Sequence, residues 1–248
     1  MDLHLKDKVS LVCAASEGLG KAAAIELAKE GSKVAICSRS NDKLALAKED
    51  IVNETGALVE TFEADLSDHL QIKELHNKIK EKLGNIEILV NNVGGPPPGT
   101  FEKLTDEDWQ KAINLTMMSA LRMSHLVLPN MKEKKWGRII NYSGIAPFRG
   151  SPGQGTMKMA CEGFTRAVAH EYGKYNITAN CIGPGSIDVE RSAGQDNHPE
   201  ARPGLSEIPI PRTGTVEECA GLVTFLASAQ ASYITGQTYL VNGGAHFL

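Results

Sequence analysis

Residues able to hold a phosphorylated nucleotide gather in the first quarter of the chain. Gly18 and Gly20 lie in a polar turn, with Ser16 before them and Leu19 between. A glycine turn that opens a helix offers free N–H groups and the positive end of the helix dipole to a pyrophosphate. The same glycines would also serve a plain tight strand-to-helix connection. Ser38 and Arg39 stand at the tip of the next apolar run. An acidic side chain there would accept the ribose hydroxyls of NAD. Ser38 is neutral, and the Arg39 guanidinium can meet a 2′-phosphate, so the pair points to NADP(H); a solvated loop arginine is the plain alternative. Asp65, followed by Leu66, can take the exocyclic amine of adenine or cap the next helix.

These groups need a scaffold, and the apolar pattern supplies one. Val9, Leu11 and Val12 form a short buried strand, and Ala24, Leu27 and Ala28 recur at helical spacing until Gly31. Val34 to Cys37 is a second strand. A helix over Asn41 to Asn53, a strand over Leu58 to Phe62, a helix over Ser67 to Leu83 and a strand over Ile86 to Val90 follow. Strand and helix in alternation predict an α/β, doubly wound parallel sheet, a Rossmann fold, as a single domain over residues 1–248. Ala14 stands where a glycine would ease the turn; its methyl is tolerable if the local φ is negative.

Composition narrows the class. The chain has 248 residues, 42% of them apolar, and a formal net charge of −4 with scattered Lys and Arg. No basic stripe suggests nucleic acid, and no apolar run suggests a membrane span or a signal peptide. The five cysteines are widely spaced and fall mostly in apolar runs. They read as small buried hydrophobes in a reducing cytoplasm, and no His or Cys pair has metal-ligand spacing.

Beyond the fourth strand the chain resembles a short-chain dehydrogenase/reductase over essentially its whole length. The resemblance rests on Asn91-Asn92-Val93-Gly94, INLT with Asn114, GRIINYS ending in Ser143, ITANCIGPG with Pro184 and Gly185, and the tail SYITGQTYLVNGG. It implies that Asn91 to Gly94 brace the sheet and border the adenosine ribose. The long helix from Thr105 to about Met131, with Ile113, Leu115, Met117, Leu121 and Leu126 on its apolar side, is implied to pair subunits into a homodimer or homotetramer. The altered motifs place the chain in a divergent branch resembling β-ketoacyl carrier-protein reductases.

The resemblance also implies a Ser–Tyr–Lys set with an Asn behind it, and here the tyrosine is missing. Ser143 would hold the substrate carbonyl, and Lys158 and Asn114 the ribose and a water chain. Counting back from GFTRAVAHEYGKYNITAN puts Gln154 at the tyrosine position and Lys158 at the lysine position. Counting forward from RGSPGQ puts Met157 and Cys161 there instead. The first register is preferred because helical spacing carries it. A glutamine amide hydrogen-bonds but donates no proton to an alkoxide at neutral pH. Gln154 also fits a capping box with Ser151, with Pro152 at the first helical position. Tyr142 is the nearest phenol, but neighbours on a strand face opposite sides, which turns it away from Ser143. Lys158 or an ordered water is left as the donor.

Residues 186–207, polar and rich in Gly and Pro, are implied to form a substrate lid. Val189 stands where the family offers threonine to the nicotinamide, leaving the backbone of Ile187 for that contact. The stiff Pro96-Pro97-Pro98 loop would wall the site. The expected function is an NADP(H)-using oxidoreductase acting on a carbonyl or secondary alcohol of a small molecule. A non-redox isomerase or lyase on the same fold, or a catalytically silent nucleotide-binding protein, are the alternatives.

Overall fold

A computed structural model of the chain describes residues 1–94, 99–148, 150–189 and 205–247. Seven parallel strands form one sheet in the order β3-β2-β1-β4-β5-β6-β7. They are β1 Val9–Cys13, β2 Lys33–Ser38, β3 Val59–Glu63, β4 Ile88–Asn91, β5 Gly137–Tyr142, β6 Ile177–Pro184 and β7 Thr238–Val241. The order reverses between β1 and β4, the switch point at whose carboxyl ends ligands bind in such sheets. The doubly wound sheet expected from the alternating pattern is therefore present.

Side-chain alternation sorts the core into two faces. Leu11, Cys13, Leu89 and Ile139 pack against α3 (His69–Lys82), α5 (Ser119–Lys134) and α6 (Pro152–Tyr172). Val12, Val90, Ile140 and Tyr142 pack against α1 (Gly18–Lys29), α2 (Asn41–Thr55) and α7 (Val216–Ala227). Helix starts follow the local chemistry. Ser40 caps α2 and Asp68 caps α3, while Thr105 and Thr215 each close a capping box, on α4 (Asp106–Ala112) and α7.

The helix expected to run from Thr105 to about Met131 instead runs to Lys134 and is not uniform. Between α4 and α5 it widens to i→i+5 turns over Ile113–Met118. Such a widening admits an extra residue per turn and shifts the phase of the side chains that follow.

The amino-terminal rim of the sheet carries a buried charge. Arg138, 1% exposed, donates from Nε to the Ser228 carbonyl and from Nη1 to the carbonyls of Gly137 and Asn176. Its guanidinium stacks 4.6 Å from the Trp136 ring, and burial pulls its pKa down to about 10. Lys8 lies on the same indole and pairs with Glu87 at 2.9 Å.

Candidate active site and nucleotide cleft

The turn after β1 is built by close approach. A Cβ on Gly20 would lie 2.5 Å from the Ala14 carbonyl oxygen and 2.7 Å from Asn92 Nδ2, so only glycine fits. Asn92 Nδ2 donates to that same carbonyl at 3.2 Å, locking the turn to the end of β4. Gly18 sits at φ +57, in the left-handed region. Ala14 does not have the negative φ that its methyl prefers: it lies at φ +48. The close approach of the turn holds it there, at a steric cost of about 1–2 kcal/mol. Gly20→Ala should lower stability by about 1–3 kcal/mol and displace the helix start. Thermal unfolding and nucleotide titration would show both, and a variant with unchanged melting and binding would refute this account of the turn.

A cleft of about 320 Å³ opens over this turn at the carboxyl ends of β1, β2, β3 and β4. Ser16, Gly18, Leu19, Ser38, Arg39, Asp65, Leu66 and Gly94 all line it, together with Glu17, Lys43, Asn92, Val93 and Val189. The Asp65 carboxylate accepts from the backbone N–H and hydroxyl of Ser67, both at 2.8 Å, and the cap of α3 falls to Asp68. Gly20 lies behind the wall rather than on it. Asn91 is buried as a brace, its Nδ2 donating to Asn141 Oδ1 at 2.8 Å, and Asn141 donates onward to Thr165 at 2.8 Å.

Pro184 closes β6, and the Gly185 N–H donates to the Val241 carbonyl. Ile187 bridges to Gly214 and is 8% exposed. Val189 packs toward Gly18 in the cleft. The rest of the expected lid, 190–204, and the prolines 96–98 lie outside the described residues.

At the carboxyl end of β5 the expected site residues make contacts that their motifs did not indicate. The Ser143 hydroxyl donates at 2.7 Å to Glu162 Oε1, a carboxylate on α6 that is 2% exposed, so its proton is not directed at a substrate carbonyl. Asn114 does not reach Lys158. Its Oδ1 accepts from Arg122 Nη2 at 3.2 Å, and Arg122 Nη1 also donates to the Ser67 carbonyl. The phase shift in the widened turns explains this, because Thr116, two residues on, faces inward instead. Its hydroxyl donates to the Gly94 carbonyl at 3.5 Å, and its own carbonyl accepts from Cys161 Sγ.

Gln154 is exposed, and Ser151 makes no side-chain cap, so the expected capping box is not formed. The first turn of α6 lies against the loop after β5, where a Cβ on Gly155 would meet the Ala146 carbonyl oxygen at 2.8 Å.

Lys158 lies on the inner side of α6 against the end of β5. The residue is 4% exposed, and its ammonium donates to the Tyr142 carbonyl at 2.7 Å, beside Ser143. Burial lowers its pKa, while Cys161 and Cys181 nearby oppose the shift. Tyr142 points to the opposite sheet face, as alternation requires. There its phenol has no hydrogen-bond partner among the described residues, and burial raises its pKa above the usual tyrosine range. Met157 and Cys161 are buried on the inner side of α6. Sequence reasoning singled out neither Glu162, the partner of Ser143, nor Lys43, which lines the cleft. A charge one helical turn beyond Lys158, on the stripe that carries Cys161 and Thr165 inward, was the available signal for Glu162.

A family profile described as enoyl-(acyl carrier protein) reductase matches residues 13–246. The 3-oxoacyl-(acyl-carrier-protein) reductase of Aquifex aeolicus is 33% identical over 247 residues, covering 98% of this chain and 99% of that protein. The chain belongs to the short-chain dehydrogenase/reductase family. Its relatives within that family include the 3-oxoacyl-(acyl-carrier-protein) reductase of Pseudomonas aeruginosa, 36% identical over 253 residues, with 98% of this chain and 99% of that one covered. The solved L-sorbose reductase of Gluconobacter frateurii, complexed with NADPH and L-sorbose, superposes with a TM-score of 0.92 at 29% identity, each chain wholly covered. YwfH, an NADPH-dependent reductase of bacilysin biosynthesis, superposes at 0.91 with 31% identity, covering 97% of this chain and 99% of that one. As a short-chain dehydrogenase/reductase, the chain lacks tyrosine at both candidate positions on α6. No helix among the described residues is long and apolar enough to cross a membrane.

Proposed function

We propose that this chain is an NADP(H)-dependent oxidoreductase that reduces a small carbonyl compound, or oxidises the matching alcohol, with Lys158 as proton donor. The cleft carries the reading, because it puts the glycine turn and the Ser38–Arg39 tip in one cavity. These residues suit a 2′-phosphorylated dinucleotide: the tip of β2 is neutral and cationic, and the turn is closed to anything larger than hydrogen at Gly20. NADPH, when bound, supplies the hydride. The NADPH-dependent relatives support the same coenzyme.

The protein's part is positioning and proton supply. Lys158 holds a proton at Nζ beside the end of β5, screened from bulk water. Ser143 acts as a positioning residue: by holding the Glu162 carboxylate it keeps that acid from pairing with Lys158 one turn earlier. Thr116 fixes the wall below Gly94. Exposed Leu121 on α5 and Met159 on α6 support assembly as a homodimer or homotetramer through these helices.

The coenzyme preference gives the test. NADPH should bind more tightly than NADH, and Arg39→Ala should weaken NADPH by about 10- to 100-fold while leaving NADH nearly unchanged. Fluorescence titration of both nucleotides measures it. Equal affinity in the unaltered protein, or a preference that survives the substitution, would refute the reading of the β2 tip.

A further inference from the structure

The 2′-phosphate reading so far uses one cation, yet the same wall of the cleft holds a second that is already occupied. Lys43, in the first turn of α2, places its Nζ 2.8 Å from Glu17 Oε2, and Glu17 directly precedes Gly18 at the start of α1. The pair thus spans the cleft mouth from the start of one helix to the start of the other, beside Ser38, Arg39 and Ser40. Both side chains face solvent, at 59% and 30% exposed, so the bond is weak and readily exchanged. Among the described residues, the charged ones lining the cleft are Glu17, Arg39, Lys43 and Asp65. The Asp65 carboxylate is engaged by Ser67, which leaves Glu17 as the acid facing the phosphate-binding tip.

We propose that Lys43 is a second ligand of the coenzyme 2′-phosphate and that Glu17 is its resting partner, displaced when the phosphate arrives. The inference rests on the coenzyme reading above. A phosphate monoester carries close to two negative charges at neutral pH and three acceptor oxygens, so it outcompetes one exposed carboxylate for an ammonium. Arg39 and the start of α2 approach the same point, and Lys43 can leave Glu17 without losing charge compensation. Glu17 then has a distinct effect. It weakens every 2′-phosphorylated ligand by competition and repulsion, and it leaves ligands lacking that phosphate untouched. The arrangement sets coenzyme selectivity through an acid that makes no contact with the coenzyme.

Adenosine 2′,5′-bisphosphate, 5′-AMP, NADPH and NADH, titrated against the full-length protein by calorimetry and fluorescence, separate these roles. Lys43→Met should weaken NADPH and the bisphosphate by about tenfold, with NADH and 5′-AMP unchanged. Glu17→Gln should tighten the same two ligands by about two- to fivefold, and the gain should vanish in the Glu17→Gln, Lys43→Met double variant. Raised salt should weaken bisphosphate binding less in Lys43→Met than in the unaltered protein. If the pair is only a strut between helices, Lys43→Met will lower the melting temperature and affect all four ligands alike. That result overturns the proposal. So does unchanged bisphosphate affinity in Lys43→Met when Arg39→Ala weakens it, and the coenzyme reading then survives. Failure of the unaltered protein to bind any of the four ligands overturns both.

Discussion

Lys158→Met should lower the rate of carbonyl reduction by about 10²–10⁴-fold, the range a positioned general acid contributes. No phenol compensates, because Tyr142 is on the other face of the sheet and Gln154 carries no acidic proton. The pH profile gives the sharper reading. With the protonated amine as the proposed donor, reduction should fall as pH rises through the Lys158 pKa, and alcohol oxidation should rise through the same point. Burial lowers that pKa, so the limb should begin below the ordinary lysine range.

Burial also raises the neighbouring Cys161 thiol and pushes Cys181 up to about 12, so variants of Lys158 itself assign the limb. Lys158→Arg keeps the charge and moves the proton out of reach, so the limb should disappear while the rate stays low. Steady-state rates between neutral and alkaline pH for the three proteins decide the matter. A limb that persists in Lys158→Arg would assign the proton to another group.

Arg138→Met should cost about 2–4 kcal/mol of stability, since three carbonyls lose a donor at once and two of those bonds are fully buried. The methionine fills much of the volume, so the loss reports hydrogen bonds rather than a cavity. Denaturant unfolding should show a lower midpoint with an unchanged slope, and nucleotide affinity should stay within about twofold in protein that remains folded. A midpoint within error of the unaltered protein would mean that the loop carbonyls find other donors.

The fold was legible because a buried parallel strand leaves an unmistakable trace. Val9 to Val12, Val34 to Cys37 and Leu58 to Phe62 each lie at or within one residue of an observed strand. The glycine turn was equally readable, since its residues are contiguous. The site beyond it was less so. Asn114 was placed by the INLT motif of the resemblance, and the motif does not reveal the widened turns at Ile113–Met118 that turn its side chain toward Arg122. No residue type announces such a widening. Ser143 was assigned by its neighbours in sequence, while its actual partner, Glu162, comes from another element and becomes visible only when α6 packs on β5. Ala14 was judged by its side chain, but its strain arises from a carbonyl fixed across the sheet by Asn92. Contiguous chemistry was readable; chemistry assembled across elements was not.

The Arg138 cluster sits with Lys8, Glu87 and Trp136 at the amino-terminal rim, a full strand length from the cleft. One end of the sheet therefore anchors the architecture and the other hosts the chemistry. Loops at the reactive rim can change in length and composition while the anchoring rim keeps the strands in order. A change in the segment between β5 and α6 is the kind of change that such a division tolerates. A lineage built this way can explore new substrates by rewriting one rim, and its record of descent is best sought at the other.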